Sequence, residues 1–114
     1  MTRLDAALLV RAKSRLDRLE LYPRPVNIDR VSIVSAAWLF TLPWFRRFDG
    51  YTMWNLILLR SAALAADDDL VCHELCHVWQ MQHHPIRMPL SYLLRGYAHN
   101  PYEDEARRAA ATPR

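Results

Sequence analysis

Glycine is scarce in this sequence, with two residues in 114. Because glycine loosens helices and builds the repeats of fibrous chains, its scarcity favours helical structure and argues against a fibrous protein. Hydrophobic residues make up 52% of the chain and charged residues 24%, a balance that argues against intrinsic disorder. A chain of this length can bury a modest core without disulfides, so we expect one domain spanning residues 1–114.

Cysteine is equally scarce, and the N-terminus lacks the features of a signal peptide. Cys72 and Cys76 are too few and too close together for the disulfide framework of a secreted domain. The first 20 residues carry a charge every few positions, which excludes the apolar stretch of a signal peptide. These features predict a cytoplasmic protein.

The sequence also lacks a long apolar run and a cluster of basic residues. The longest uncharged run, residues 31–45, is shorter than the ~20 residues that a membrane span needs. Its tryptophans and phenylalanines allow peripheral contact with a membrane or a partner, beside the alternative of a core strand followed by an apolar loop. The net charge is +3, but no basic run exceeds two residues, so we expect no nucleic-acid binding.

Local patterns predict four helices and two strands. Apolar spacing of three to four residues indicates the first helix, and aspartates or an Asn-Pro pair precede two others as capping residues. Short β-branched or apolar runs indicate the strands. The predicted helices are residues 3–20, residues 67 to about 84, residues 89–95 and a last helix that begins at residues 100–101; the predicted strands are residues 31–34 and 52–59.

The second predicted helix contains the pattern H-E-x-x-H at residues 73–77. Residues four apart on an α-helix are about 40° apart around its axis, so His73 and His77 present two imidazoles on one face. This spacing suits two Zn–N bonds of ~2.0–2.1 Å to a single ion. Glu74 is placed to take the proton of a zinc-activated water, which is the chemistry of a hydrolase.

A third zinc ligand must come from elsewhere, and the residues leave three candidates. His83 follows His77 by the spacing of a longer zinc-protease pattern, but that pattern turns at a glycine where this chain has glutamine. If the helix continues, His83 lies about 15 Å along its axis from His73. Glu103 and Glu105 lie about 200° apart around the last helix, so only one of them can face the ion.

This chain resembles the gluzincin metallopeptidases in two segments, HELCHVWQ and PYEDEARRAA. It is similar in particular to small domains whose helices read HELxHVxQ and PYExEAD. The resemblance covers roughly residues 50–110 and includes a preceding strand with a threonine near its start. It implies an α+β, zincin-like minimal domain in which the active-site helix and the glutamate helix pack under a small β-sheet, with an N-terminal helix.

The resemblance also implies a function and a set of site residues. One Zn²⁺ would be bound by His73, His77 and Glu103, and Glu74 would be the general base in hydrolysis of a peptide or protein substrate. The substrate would add in extended form to an exposed edge strand above the helix.

One position departs from the family pattern. Arg107 stands where the pattern has an aspartate, which would orient a ligand histidine by a hydrogen bond. Asp104 and Glu105 are candidates to replace that aspartate. The departure makes a second function the alternative: a non-catalytic zinc-binding module that serves a structural or protein-interaction role.

Other residues near the motif are interpreted as structural. Cys72, Cys76 and Trp79 are predicted to be core residues, and Gln80 to be a packing or helix-surface residue. Gluzincins use a tyrosine or histidine to stabilise the oxyanion of the tetrahedral intermediate. The candidates for that role, none of them at a fixed motif position, are Tyr92, Tyr97, His99 and Tyr102.

Overall fold

The computed structural model describes residues 2–97 and 100–111, which form an α+β arrangement of α-helices and one four-stranded sheet. The α+β class predicted from the sequence is confirmed. The strands are β1 (Thr2–Arg3), β2 (Ser32–Ser35), β3 (Gly50–Met53) and β4 (Leu56–Leu59), and the helices are α1 (Ala7–Asp17), α2 (Asp68–His83), α3 (Arg87–Arg95) and α4 (Pro101–Ala110). Short 3₁₀ turns occupy Leu39–Thr41 and Ala62–Ala66.

The four strands form one mixed sheet in the order β1-β2-β4-β3. β2 runs parallel to β4, whereas β1 with β2 and β3 with β4 are antiparallel pairs. β3 lies at one edge of the sheet, and it also contacts α2. The edge strand is therefore the part of the sheet nearest the H-E-x-x-H helix.

The single strand predicted at residues 52–59 is wrong, because this segment spans a hairpin. β3 and β4 are joined by Trp54 and Asn55, with Met53 opposite Leu56. Trp54 has a φ of +50°, the left-handed conformation that two-residue hairpin loops require. Such loops usually carry Asn-Gly or Asp-Gly, so the Trp-Asn pair did not indicate a turn in the sequence.

The first helix is shorter than the predicted span of residues 3–20. Thr2–Arg3 is a strand that pairs with β2. At the start of α1, the backbone N–H of Ala7 donates to Asp5 Oδ1 at 2.9 Å. The predicted strand at residues 31–34 is shifted by one residue. The helix was predicted too long because Leu4 and Leu19 lie outside α1 but still pack against the core, so they continue its apolar spacing.

The other helices follow the sequence more closely. Asp67 caps α2 by accepting hydrogen bonds from the backbone N–H groups of Asp69 and Leu70, as the aspartate run predicted. Asn100 caps α4 through the N–H of Tyr102. α3 begins two residues before the predicted start, because Pro89 falls in its first turn, where a backbone N–H has no intrahelical partner to lose.

Helix α2 is the centre of the packing, with α1, α4, β3 and β4 all in contact with it. Cys72, Cys76 and Trp79 are fully buried on this helix, which confirms their prediction as core residues. Trp79 also donates its indole N–H to the carbonyl of Arg24 at 2.8 Å, so its one polar atom is satisfied. The histidine helix is thus held on several sides at once.

Residues 31–45 divide between core and surface. Ile33 and Phe40 are buried, whereas Trp38 and Trp44 are exposed. Among the helices of the described residues, none has the length and apolar character that a membrane crossing requires. The strand part of the run is core, and only its loop part is available for external contact.

Candidate metal centre

The two histidines of the motif face the same point in space. His73 and His77 lie one turn apart on α2, and their Nε2 atoms are 3.2 Å apart. The rings meet edge to face, with centroids 4.9 Å apart. This geometry results from the four-residue spacing of the histidines and from the Asp67 cap, which fixes where α2 begins.

Glu103 on α4 completes the group. Its Oε1 lies 2.8 Å from His73 Nε2, and its Oε2 lies 3.1 Å from His77 Nε2. One ligand atom from each of the three residues lies within 4.8 Å of the others. Donor atoms bonded tetrahedrally to zinc at ~2.0–2.1 Å are roughly 3.3 Å apart, so the observed spacing is close to that of a zinc site.

The charges of the group favour a cation at its centre. Burial alone would raise the pKa of Glu103, but hydrogen bonds to His73 and His77 hold that pKa well below its usual range. Burial alone would lower the pKa of His77, yet the hydrogen bond to Glu103 and the nearby carboxylate of Glu74 raise it. The carboxylates therefore stabilise positive charge where the two imidazole Nε2 atoms converge.

Gln80 fixes the orientation of His77, a role that the sequence analysis missed. It is fully buried, and its Nε2 donates to the Tyr102 carbonyl at 2.8 Å and to Glu105 Oε1 at 3.0 Å. Because both of those partners are acceptors, the amide oxygen must face the other way, toward His77 Nδ1 at 2.9 Å. His77 then carries a proton on Nδ1, which leaves the lone pair of Nε2 for a metal when the ring is neutral.

The acidic residues proposed to replace the missing aspartate have other partners. Asp104 accepts from Arg107 at 2.9 Å on the surface of α4, so it orients no histidine. Glu105 touches neither histidine, but its Oε1 accepts from Gln80 and from the Tyr22 hydroxyl, at 3.0 and 2.5 Å. Glu105 therefore acts on His77 only through Gln80, and the signal that could have revealed this is the glutamine one turn after His77.

Glu74 lies beside the three residues, in a pocket made by the edge strand. Its carboxyl is buried, and a side chain on Gly50 would place a Cβ only 3.1 Å from Glu74 Cγ and 3.2 Å from Cδ. The Thr52 hydroxyl lies 3.1 Å from the Glu74 carbonyl and 3.4 Å from Oε1. Burial raises the pKa of Glu74, although His77 and His73 oppose that rise.

The other candidate residues differ in whether they contact the three proposed ligands. His83 lies away from the group, with Nδ1 3.1 Å from the Trp79 carbonyl and its ring stacked on Tyr22. Tyr92 donates its hydroxyl to Glu103 Oε2 at 3.0 Å, which makes it the tyrosine in contact with the group. Tyr97 packs against Tyr92 with ring centroids 4.7 Å apart, and Tyr102 packs against His84. His99 lies outside the described residues.

An open cleft of about 970 Å³ leads to the site. His73, His77, Glu103 and Glu74 border it, and so does the edge strand β3. Aromatic and apolar side chains supply much of the remaining wall. A cleft of this size admits a segment of extended peptide as well as a small molecule.

Comparisons with known proteins add no further constraint. No family model matches the chain, and no curated protein or solved structure does either. The interpretation of the site consequently depends on its own geometry: two imidazoles and a carboxylate that converge, an oriented histidine, and a buried glutamate at the wall of a cleft.

Proposed function

We propose that the protein is a zinc-dependent metallopeptidase in which His73, His77 and Glu103 bind one zinc ion and Glu74 is the general base. The observation that carries the proposal is the convergence of two Nε2 atoms and a carboxylate at the floor of a cleft. Two histidines and one glutamate are the ligand set of catalytic zinc sites that keep a fourth position open. The packing of α2 against both α4 and the small sheet supports the zincin-like architecture within the same proposal.

Each residue then has a distinct task. Zinc, when bound, supplies a Lewis acid that makes water nucleophilic near neutral pH. Glu74 takes a proton from the attacking water and passes it to the departing amine, and the burial that raises its pKa brings it toward the working pH of a base. Gln80 keeps His77 in the tautomer that offers Nε2.

The edge strand provides the place for the substrate. The side of β3 away from β4 pairs with no other strand of the described residues. An extended peptide would hydrogen-bond to this edge and cross the cleft with one carbonyl near the histidines. A peptide or protein in extended form is therefore the proposed substrate class.

The alternative function is a zinc-binding module without catalysis, and one observation favours it. His73 Nδ1 has no hydrogen-bond partner among residues 2–97 and 100–111, and Arg107 occupies the place where the family pattern has an aspartate. A ligand histidine without an orienting acceptor binds metal less firmly. Such a site would hold zinc for structural purposes or for contact with another protein.

Metal analysis of point variants tests the zinc site. We expect one zinc ion per chain in the wild type and loss of zinc in His77→Ala and Glu103→Gln. His83→Ala and Asp104→Asn are matched controls on the same helices and should keep zinc, because neither side chain reaches the group. Zinc retained at wild-type affinity by Glu103→Gln would overturn the assignment of Glu103.

Activity of Glu74→Gln separates the two functions. This variant keeps the size of the side chain but cannot accept a proton, so it should retain zinc and lose cleavage of a diverse peptide library. Rate losses for a missing general base are about 10²–10⁴-fold. If the zinc-loaded wild type cleaves no peptide of the library, the metallopeptidase proposal fails and the non-catalytic module replaces it.

A further inference from the structure

Helix α3 turns an apolar face toward solvent. The N-cap residue Ile86 and three leucines of the helix lie within an arc of about 100° on one side of α3. Their exposed fractions are 78% for Ile86, 47% for Leu90, 81% for Leu93 and 74% for Leu94. Met88, on the opposite side, is buried and anchors α3 to the rest of the molecule. The apolar stripe that normally faces a core is thus presented outward.

This face continues onto the loop before β3. Trp44 is 53% exposed and borders the same cleft as Leu93. The Arg47 guanidinium lies 4.3 Å from the centre of the Trp44 ring and 5.9 Å from that of Tyr97, which is two residues beyond the end of α3. We define the α3 surface as these five apolar side chains: Ile86, Leu90, Leu93, Leu94 and Trp44.

Positive charge surrounds the α3 surface. Arg87 and Arg95 stand at the two ends of α3, and Arg46 and Arg47 follow Trp44 in the chain. All four are exposed, and none forms an ion pair within the described part of the chain. The sequence from residue 75 to residue 102 contains no aspartate or glutamate. The α3 segment is therefore bordered by cations and carries no acid of its own, and at the Trp44 end the nearby Asp49 is paired with Arg60.

We propose that the α3 surface docks on an anionic lipid bilayer. An amphipathic helix with exposed leucines and flanking arginines lies in the plane of a membrane interface, with its apolar side chains at the acyl boundary and its cations at the phosphates. Tryptophan is enriched at the same depth. Each arginine near an anionic surface strengthens binding about fivefold, so the charge pattern selects negatively charged lipids. None of the three proposed zinc ligands belongs to the α3 surface.

Vesicle flotation tests the proposal. The full chain should float with vesicles of phosphatidylcholine and phosphatidylglycerol, remain unbound with phosphatidylcholine alone, and lose binding as salt concentration rises. The double variant Ile86→Glu/Leu94→Glu should weaken binding at least about tenfold, because it places two carboxylates in the contact. Both side chains are exposed and border no part of the cleft, so circular dichroism should show an unchanged fold.

Two further variants make the result specific. Val10→Glu adds one acid to an exposed apolar position on α1, where the side chain is 57% exposed, and should bind like the wild type. Arg87→Gln/Arg95→Gln should reduce the preference for the anionic vesicles. The bilayer proposal is overturned if the wild type binds both kinds of vesicle equally or binds neither. It is also overturned if the Ile86→Glu/Leu94→Glu variant binds the anionic vesicles as the wild type does. Absence of all vesicle binding would assign the stripe to a protein contact instead.

Discussion

Replacing Gln80 with methionine should weaken zinc binding without removing a proposed ligand. In the wild type, Gln80 accepts from His77 Nδ1 at 2.9 Å and donates to the Tyr102 carbonyl at 2.8 Å and to Glu105 at 3.0 Å. Methionine has a similar volume and an unbranched side chain, so it fills the same space and removes all three hydrogen bonds. The substitution therefore isolates the polar contribution of Gln80.

The expected magnitudes concern two separate quantities. Loss of the partner that orients a ligand histidine lowers metal affinity about 10–100-fold, or roughly 1.4–2.8 kcal/mol. The free energy of unfolding should fall as well, because the Tyr102 carbonyl and the Glu105 carboxylate lose a buried donor. Three hydrogen bonds are lost, and at about 1 kcal/mol for each of them a combined loss of roughly 3 kcal/mol is expected.

Competition with a chromogenic chelator measures the zinc affinity, at a temperature where circular dichroism shows both proteins folded. Gln82→Met is the matched control: it lies on the same helix and loses two hydrogen bonds to the Asn27 backbone, but has no link to His77. That control should bind zinc as the wild type does. Wild-type zinc affinity in the Gln80→Met protein would refute the conclusion that Gln80 orients His77.

Three other predictions follow from the same geometry. Gly50→Ala should lower the free energy of unfolding by about 1–3 kcal/mol and reduce the proposed peptidase activity more than zinc affinity, because the new methyl group displaces Glu74. The control Gly96→Ala is strained at φ +72° but has open space around it, so it should cost a similar stability and leave the proposed activity unchanged. Cys72 and Cys76 should react with a thiol reagent only after unfolding, since burial raises the pKa of both thiols; rapid modification of the native protein would contradict this. Free zinc at a hundredfold excess over its dissociation constant should stabilise the protein by about 2.7 kcal/mol and raise its melting temperature by roughly 10 °C, an increase that a chelator reverses.

The helices that carry the site residues could be predicted because local chemistry determines them. Asp67 and Asn100 cap α2 and α4 through their own side chains, so their sequence signals needed no tertiary information. The facing of His73 and His77 also follows from helix geometry alone. The prediction of Glu103 rather than Glu105 as the third ligand came only from the resemblance. Helix periodicity shows that the two side chains point in different directions, but it does not show which of them faces α2.

The features that escaped prediction depend on contacts between distant segments. The hairpin at Trp54 needs a positive φ that tryptophan rarely adopts, and cross-strand pairing with β4 stabilises it. Gln80 looked like a packing or surface residue because the acceptors of its amide, Tyr102 and Glu105, lie more than twenty positions away in the chain. The role of a buried polar side chain on the helix that carries the proposed ligands is recognised only once its partners are in place.

Orientation of His77 by an amide rather than by a carboxylate bears on the electrostatics of the proposed site. A carboxylate bonded to a ligand histidine raises the basicity of that ligand, whereas an amide oxygen fixes the tautomer with less charge. In this protein the nearest carboxylate beyond the amide is Glu105, which polarises Gln80 from the far side and is itself held by Tyr22. The negative charge is therefore one residue further from His77 than a carboxylate bonded directly to the ring would place it, so a zinc ion held there would retain more of its Lewis acidity. The network through Gln80 therefore orients His77, whereas His73 Nδ1 has no acceptor among residues 2–97 and 100–111.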